Sequence, residues 1–190
     1  MNPEGKREAL MHSAETLFVT QGYSGTTIAQ IAKHAEIAVG SVYRLYPDKA
    51  AVLTALHERM EERFIHAMQA GWTSKDDYAE RFEAMIAALF DLAFDVRASL
   101  PLYFLTRDMI GGTNFVPGER IIAEIEAQFF DGVESGKLRA MTPGVIGPMA
   151  HAIVEGAMRA WMADPSPQRR ELIVTEVTAI FVRSFLLDDE

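Results

Sequence analysis

Residues 22–49 read GYSGTTIAQIAKHAEIAVGSVYRLYPDK, and this stretch decides the fold. Thr27 and Gln30 form the T-x-x-Q spacing of a capping box, so a helix is expected to open at Thr26 or Thr27, with Thr27 favoured as the cap. Ile28, Ile31 and Ala32 recur at helical spacing and give it one apolar face. Ala35-Glu36-Ile37 reads as a turn, and a second short helix is expected over residues 39–45, with Val42 and Leu45 inward and Tyr43 outward. Pro47-Asp48 then breaks the chain and restarts it, Asp48 being a natural N-cap. Two short helices joined by a turn of about 3–4 residues form the unit that lays a recognition helix in the major groove of DNA.

Outward from this unit the chain is helical in both directions. Ala9, Leu10, Ala14, Leu17 and Phe18 stripe a leading helix over residues 3–21, and Gly22 is its stop. A helix from about 48 to 70 follows, then a polar break at 71–77 that reads as the main seam in the chain. Further helices are expected at 77–97, from Pro101 to near Ile110, at 117–135, at 143–163 and at 168–187. Gly111-Gly112-Thr113-Asn114 reads as a loop. No segment alternates with period two. The expectation is an all-α protein of about nine helices, with a helix-turn-helix head at residues 1–50 and a regulatory body at 51–190.

Composition narrows the function classes. The 190 residues are 49% hydrophobic, enough for a packed core, and contain no cysteine, which removes disulfides, thiolate metal sites and cysteine nucleophiles. No secretory leader or membrane span is read, so a cytoplasmic protein is expected. The net charge of −9 belongs entirely to the body. Residues 1–50 hold five basic and five acidic groups, and the rest hold 13 basic and 22 acidic. A neutral head on an acidic body binds phosphate only through locally placed cations and amides, so weak nonspecific DNA binding is expected.

Gly22, Tyr23, Thr26, Thr27, Ile31, Ala32, Ala35, Gly40, Tyr43 and Lys49 fall on the pattern G-[YF]-x-x-T-T-x-x-x-I-A-x-x-A-G-V-S-x-G-x-x-Y-x-[YH]-F-x-x-K. The segment thereby resembles the TetR family of bacterial transcription regulators. Three positions depart from the pattern. Glu36 replaces a turn glycine, Ala38 replaces a hydroxyl cap, and Leu45-Tyr46 replaces the usual aromatic pair while keeping one ring. The first two are each expected to cost about 1 kcal/mol.

The resemblance implies a DNA-binding set of Thr26, Thr27, Ala38, Val39, Gly40, Ser41, Tyr43, Arg44 and Lys49. The residues themselves offer reasons. Helix starts attract phosphate, and a glycine at position 40 permits close approach to a duplex or tight helix packing. An exposed Tyr43 bonds phosphate or covers a thymine methyl. Arg44, the only cation on the second helix, suits guanine or phosphate. Lys49 opposes the macrodipole of its own helix, which gives it no evident structural purpose there and favours a phosphate contact.

For the body, the resemblance implies a homodimer through the last two helices. Ile153, Ala157, Met158 and Trp161 stripe one of them, and Ile173, Val177, Ile180, Phe181 and Phe185 stripe the other. It also implies a pocket for a small-molecule effector, with Phe64, Met68, Met85, Leu89, Phe94, Tyr103, Met109 and Phe129 as candidate lining. Thr106, Arg107 and His151 are its candidate polar groups. Ten Met and eleven Phe favour a hydrophobic or aromatic ligand. The expected function is a homodimeric repressor that ligand releases from a palindromic operator, without catalysis or cofactor. One alternative gives the body a protein partner. The other is a metal-binding or catalytic helical bundle using His57/Glu61 or Glu62/His66, each one turn apart. Against it, the string HERME is not H-E-x-x-H.

Overall fold

The computed structural model describes residues 2–109 and 118–187. The expected loop at Gly111–Asn114, the helix end at Ile110 and the helix start at Pro117 lie outside the described residues. Among the described residues there are nine α-helices, one short 3-10 turn and no strand beyond a single antiparallel bridge between Leu138 and Leu186. No described helix is long and apolar enough to cross a membrane.

The chain gathers into two compact units, which do not follow the order of the sequence. The first holds α1 (Pro3–Gln21), α2 (Ile28–His34), α3 (Val39–Leu45), the beginning of α4 (Lys49–Trp72), α6 (Leu100–Thr106) and the 3-10 turn Arg107–Met109. Asn2 caps α1, Pro3 opens it, and Gly22 ends it at φ 76°. α1 packs on α2 and α2 on α3, and Leu10, Ala14, Leu17 and Phe18 of α1, Ile31 and Ala32 of α2, Val42 of α3 and Val52, Leu53 and Leu56 of α4 are all buried. α2 and α3 have seven residues each, too short to persist alone, so this shared core holds them helical.

The second unit holds the rest of α4, α5 (Tyr78–Asp95), α7 (Glu119–Glu134), α8 (Ile146–Met162) and α9 (Pro167–Phe185). α5 packs along α9, α7 on α8, and α8 on α9. Phe82 is its aromatic hub, with ring centroids 5.4 Å from Trp72, 5.8 Å from Phe129 and 5.5 Å from Phe181. Phe129 meets Phe185 edge to face at 4.9 Å. The seam expected at residues 71–77 falls inside this unit. α4 runs on to Trp72, and Gly71 lies so close to α5 that a Cβ there would sit 2.5 Å from Met85 Cα. The polar stretch is a tight reversal between two packed helices, with Asp77 capping α5 through the Glu80 amide.

Candidate nucleic-acid interface

The α2–turn–α3 unit follows from its local chemistry. Thr27 Oγ1 accepts from the Gln30 amide at 3.3 Å, and Gln30 Oε1 accepts from the Thr27 amide at 2.7 Å, closing the capping box. At the other end of α2, the Ile37 amide donates to the Ala32 carbonyl at 3.0 Å and the Glu36 amide to the Lys33 carbonyl at 3.2 Å. These are the two bonds of a Schellman ending, which requires a left-handed residue between them. That residue is Glu36, at φ 55°, the sole non-glycine residue with positive φ among those described. The expected cost of about 1 kcal/mol therefore falls where glycine would avoid it. His34 Nδ1 lies 2.9 Å from Ser13 Oγ, tying α2 back to α1.

α3 begins at Ala38 with no side-chain cap bond, as a methyl dictates. Val42 is fully buried, while Ala38, Val39, Gly40, Tyr43 and Arg44 are exposed, Tyr43 at 54%. They form one outward face. Gly40 has ordinary helical backbone, and a Cβ built on it would meet nothing within 4 Å. Tight internal packing therefore does not explain the glycine. Arg44 Nη2 donates to Ser41 Oγ at 2.8 Å, which fixes the guanidinium at the C-terminal end of this face. Tyr46, just beyond, stays half-buried, its hydroxyl 3.9 Å from Met11 Sδ. Burial raises its pKa, which Arg7 opposes.

Three of the expected contact residues have partners inside the fold. Thr26 is 0% exposed, and its hydroxyl donates to the Gly22 carbonyl at 2.9 Å and lies 3.2 Å from the Leu17 carbonyl. It bolts the turn to α1 and does not reach outward. Ser41 is buried at 9% exposure, and its Oγ accepts from Arg44. Lys49 has the internal purpose denied to it from sequence. Its Nζ donates to the Tyr23 and Thr26 carbonyls, both at 2.8 Å, and stands 4.3 Å from the Tyr23 ring centroid. A lysine opposing its own helix dipole was the one visible signal, and read alone it favours phosphate.

The body candidates divide between the two units. Tyr103, Thr106, Arg107 and Met109 belong to the first, and Phe64, Met68, Met85, Leu89, Phe94, Phe129 and His151 to the second. In the first, Thr106 Oγ1 donates to the Leu102 carbonyl at 2.7 Å and lies 2.9 Å from His57 Nε2. With the hydroxyl proton so placed, His57 is the neutral Nε2–H tautomer and donates to Thr106. Its ring stands edge-on to Tyr103 at 5.0 Å. Burial and then the Arg107 charge lower its pKa to about 4. Met109 is exposed.

In the second unit, Met68, Met85, Leu89 and Phe129 are buried, Phe64 and Phe94 are half-buried, and His151 pairs with Glu155 at 3.8 Å. The expected dimer stripe is partly covered within the single chain. Met158, Trp161, Val177, Phe181 and Phe185 are already buried within the single chain. Trp161 lies against Phe90, and Phe181 against Phe82. Ile153, Ala157 and Ile173 remain half-exposed and Ile180 exposed, with Met149 and Leu172 added to the outward faces of α8 and α9. Glu62 pairs with His66 at 3.8 Å and Arg120 at 3.2 Å. Among the described residues no three His, Cys, Asp or Glu side chains gather as a metal site.

Residues 10–56 match the sequence pattern of bacterial regulatory proteins of the tetR family. The nucleoid occlusion factor SlmA of Aliivibrio fischeri (strain MJ11) is 30% identical over 132 residues, which is 70% of this chain and 64% of that protein. The chain thus spans just under two thirds of that relative's length. A TetR-family transcription regulator from Shewanella sp. PV-4 has the same fold, with TM-score 0.78 and 22% identity over 96% of this chain and 99% of the other. The regulator FadR of Bacillus subtilis, solved in complex with stearoyl-CoA, superposes with TM-score 0.67 and 18% identity, covering 92% of this chain and 97% of that one. The pattern match covers the helix-turn-helix, and the 30% identity extends well beyond a segment of that size. The chain therefore carries the helix-turn-helix segment of the tetR family of bacterial regulatory proteins and shares the fold of solved TetR-family regulators.

Proposed function

We propose that this protein is a cytoplasmic, homodimeric repressor that reads a palindromic operator and is released from it by an apolar small molecule. The DNA-reading surface is the outward face of α3, made by Ala38, Val39, Gly40, Tyr43 and Arg44, with Thr27 beside it at the start of α2. The observation that carries this reading is Gly40. A glycine inside a short helix costs about 0.5–1 kcal/mol relative to alanine. No internal neighbour excuses it, since the space over Gly40 is open. A duplex pressed against that face supplies the reason.

The face is largely apolar with one cation, so thymine methyls and one guanine or phosphate suit it. We assign the DNA-binding role to residues 1–50 and effector binding and dimerisation to residues 51–190. The half-exposed and exposed residues Ile153, Ala157, Ile173 and Ile180 are assigned to the dimer contact. A dimer would set two heads about 34–36 Å apart on one face of DNA. The stearoyl-CoA found with FadR makes a long acyl chain the first effector to try here. Effector releases DNA only by binding the free form more tightly than the DNA-bound form.

The test is selection of duplexes from a random pool, with Tyr43→Ala and Arg44→Ala run beside the wild type. A palindromic winner that the variants bind at least tenfold more weakly supports the proposal. Enrichment of no sequence, by protein refolded to strip any carried ligand, refutes it. If acyl-CoA and other apolar compounds leave the melting temperature unmoved, a protein partner replaces the small molecule in the proposal.

A further inference from the structure

We infer that Lys49 is a positioning residue that clamps the turn between α1 and α2 to the start of α4, and that it does not bind phosphate directly. The inference rests on the DNA-reading face proposed for α3. Its observation is how fully the ammonium is engaged. Nζ donates to the Tyr23 carbonyl and to the Thr26 carbonyl, each at 2.8 Å, and lies over the Tyr23 ring, 4.3 Å from its centroid. An ammonium has three protons and no acceptor. Two short charge-assisted bonds and an aromatic face occupy most of its near shell. Swinging it to a phosphate would break both bonds and leave two turn carbonyls without their cation.

The position of the clamp explains what it does. Tyr23 is itself packed on Phe18 of α1, with ring centroids 5.2 Å apart, and its carbonyl also accepts from the Thr26 amide at 3.3 Å. Thr26 anchors the same turn to the end of α1 through the Gly22 carbonyl. Thr27, the next residue, is the cap of α2. Lys49 is the first residue of α4, where Asp48 caps the helix by accepting from the Ala51 amide at 2.8 Å. The start of α2 is thereby fixed on one side to α1 by a hydroxyl and on the other to α4 by an ammonium. Because α2 carries the turn into α3, the clamp sets the pose of the reading face. It also accounts for a cation at a helix start, where the macrodipole disfavours one.

Lys49→Met keeps the aliphatic stem over Tyr23 and removes the charge. In the full-length protein without DNA, amide hydrogen exchange at Thr26 and its neighbours should rise by about tenfold, because hydrogen bonds to a charged group are lost. Affinity for the selected duplex should fall by about tenfold, while the slope of log affinity against log salt stays at the wild-type value. A phosphate ligand behaves differently: its loss lowers that slope by about 0.9 and leaves the free turn untouched. A reduced slope, or unchanged exchange at the turn, overturns the inference. Failure of the DNA reading would appear separately, as wild-type protein that binds no duplex specifically. The exchange measurement on the free protein would then decide the clamp by itself.

Discussion

Gly40→Ala should move stability and DNA binding in opposite directions. The substitution adds one methyl group to the outward side of the first turn of α3, where nothing lies within 4 Å of the new atom. It therefore introduces no internal clash. Alanine is the better helix former by about 0.5–1 kcal/mol, partly because it restricts the unfolded chain. For a chain of this length, 1 kcal/mol corresponds to about 2–4 °C, so the melting temperature should rise by about 1–4 °C. On DNA the same methyl enters a contact that glycine had left close. Overfilling a packed contact costs about 1–3 kcal/mol. At 1.4 kcal/mol per factor of ten, that weakens binding about 5- to 150-fold. Circular dichroism melts and fluorescence anisotropy on the selected duplex, at one fixed salt concentration, measure the two effects. Binding within twofold of wild type would refute the claim that Gly40 is kept for close approach. A lowered melting temperature would refute the reading that its space is open.

Other predictions concern residues around and below that face. Glu36→Gly removes the left-handed glutamate at φ 55° and should stabilise the protein by about 1 kcal/mol, seen as a higher urea midpoint. It also removes a carboxylate beside the reading face, so affinity for random-sequence duplex should rise. Ala38→Ser supplies the missing cap of α3 and should add about 1 kcal/mol in the same assay. His57, 5% exposed, has its pKa lowered to about 4, below its ordinary value of 6.5. The folded state therefore binds this proton more weakly than the unfolded state. Its contribution is intact above pH 6.5 and is lost as pH falls towards 4, amounting to roughly 3 kcal/mol. His57→Gln, which keeps a donor for Thr106, should flatten that part of the profile, and an unchanged profile would assign the acid sensitivity elsewhere. Ile180→Glu places a charge on the 45%-exposed flank of α9 and should raise the dimer dissociation constant by about a hundredfold in sedimentation experiments. An unaltered constant would take this flank out of the interface.

The parts legible in the sequence were those fixed by near neighbours in the chain. The bounds of α1 and α3 follow from Pro3, Gly22, Val39 and Pro47, and the capping box follows from Thr27 and Gln30 alone. Even the strain at Glu36 was visible, because a turn that calls for glycine held another residue. What local patterns do not carry depends on contacts far along the chain. An apolar stripe shows that a face is covered and not what covers it. The resemblance implies a second copy over the stripe through Trp161 and Phe181, and within the chain Phe90 and Phe82 of α5 already lie against those two rings. The break at 71–77 resembled a seam because its residues are polar, and Gly71 shows instead how closely α4 and α5 approach there. α6 joins the first unit by packing on α1 and by the His57 bond to Thr106 across 49 positions, neither of which a local pattern carries. The bonds of Thr26, Ser41 and Lys49 were hidden for a related reason. A short polar side chain near a helix end serves backbone or ligand equally well until the fold places the acceptors.

The local rules of helix formation are kept in α1 and α2 and broken in the short run from Glu36 to Gly40. α1 has a capping asparagine, an opening proline and a terminal glycine, and α2 has a complete capping box. Then a left-handed glutamate, an alanine at a cap position and a glycine inside a seven-residue helix follow within five residues. Each costs on the order of 1 kcal/mol, and each has a common replacement that the surrounding structure would accept. Sequences that specify a fold are consistent at every level except where function demands otherwise. Uncapped starts recur at α6, α7 and α8, and Gly156 in α8 is as open as Gly40, so what distinguishes residues 36–40 is that three such departures adjoin one another beside an exposed and unobstructed face, as a surface shaped for an outside partner would leave them.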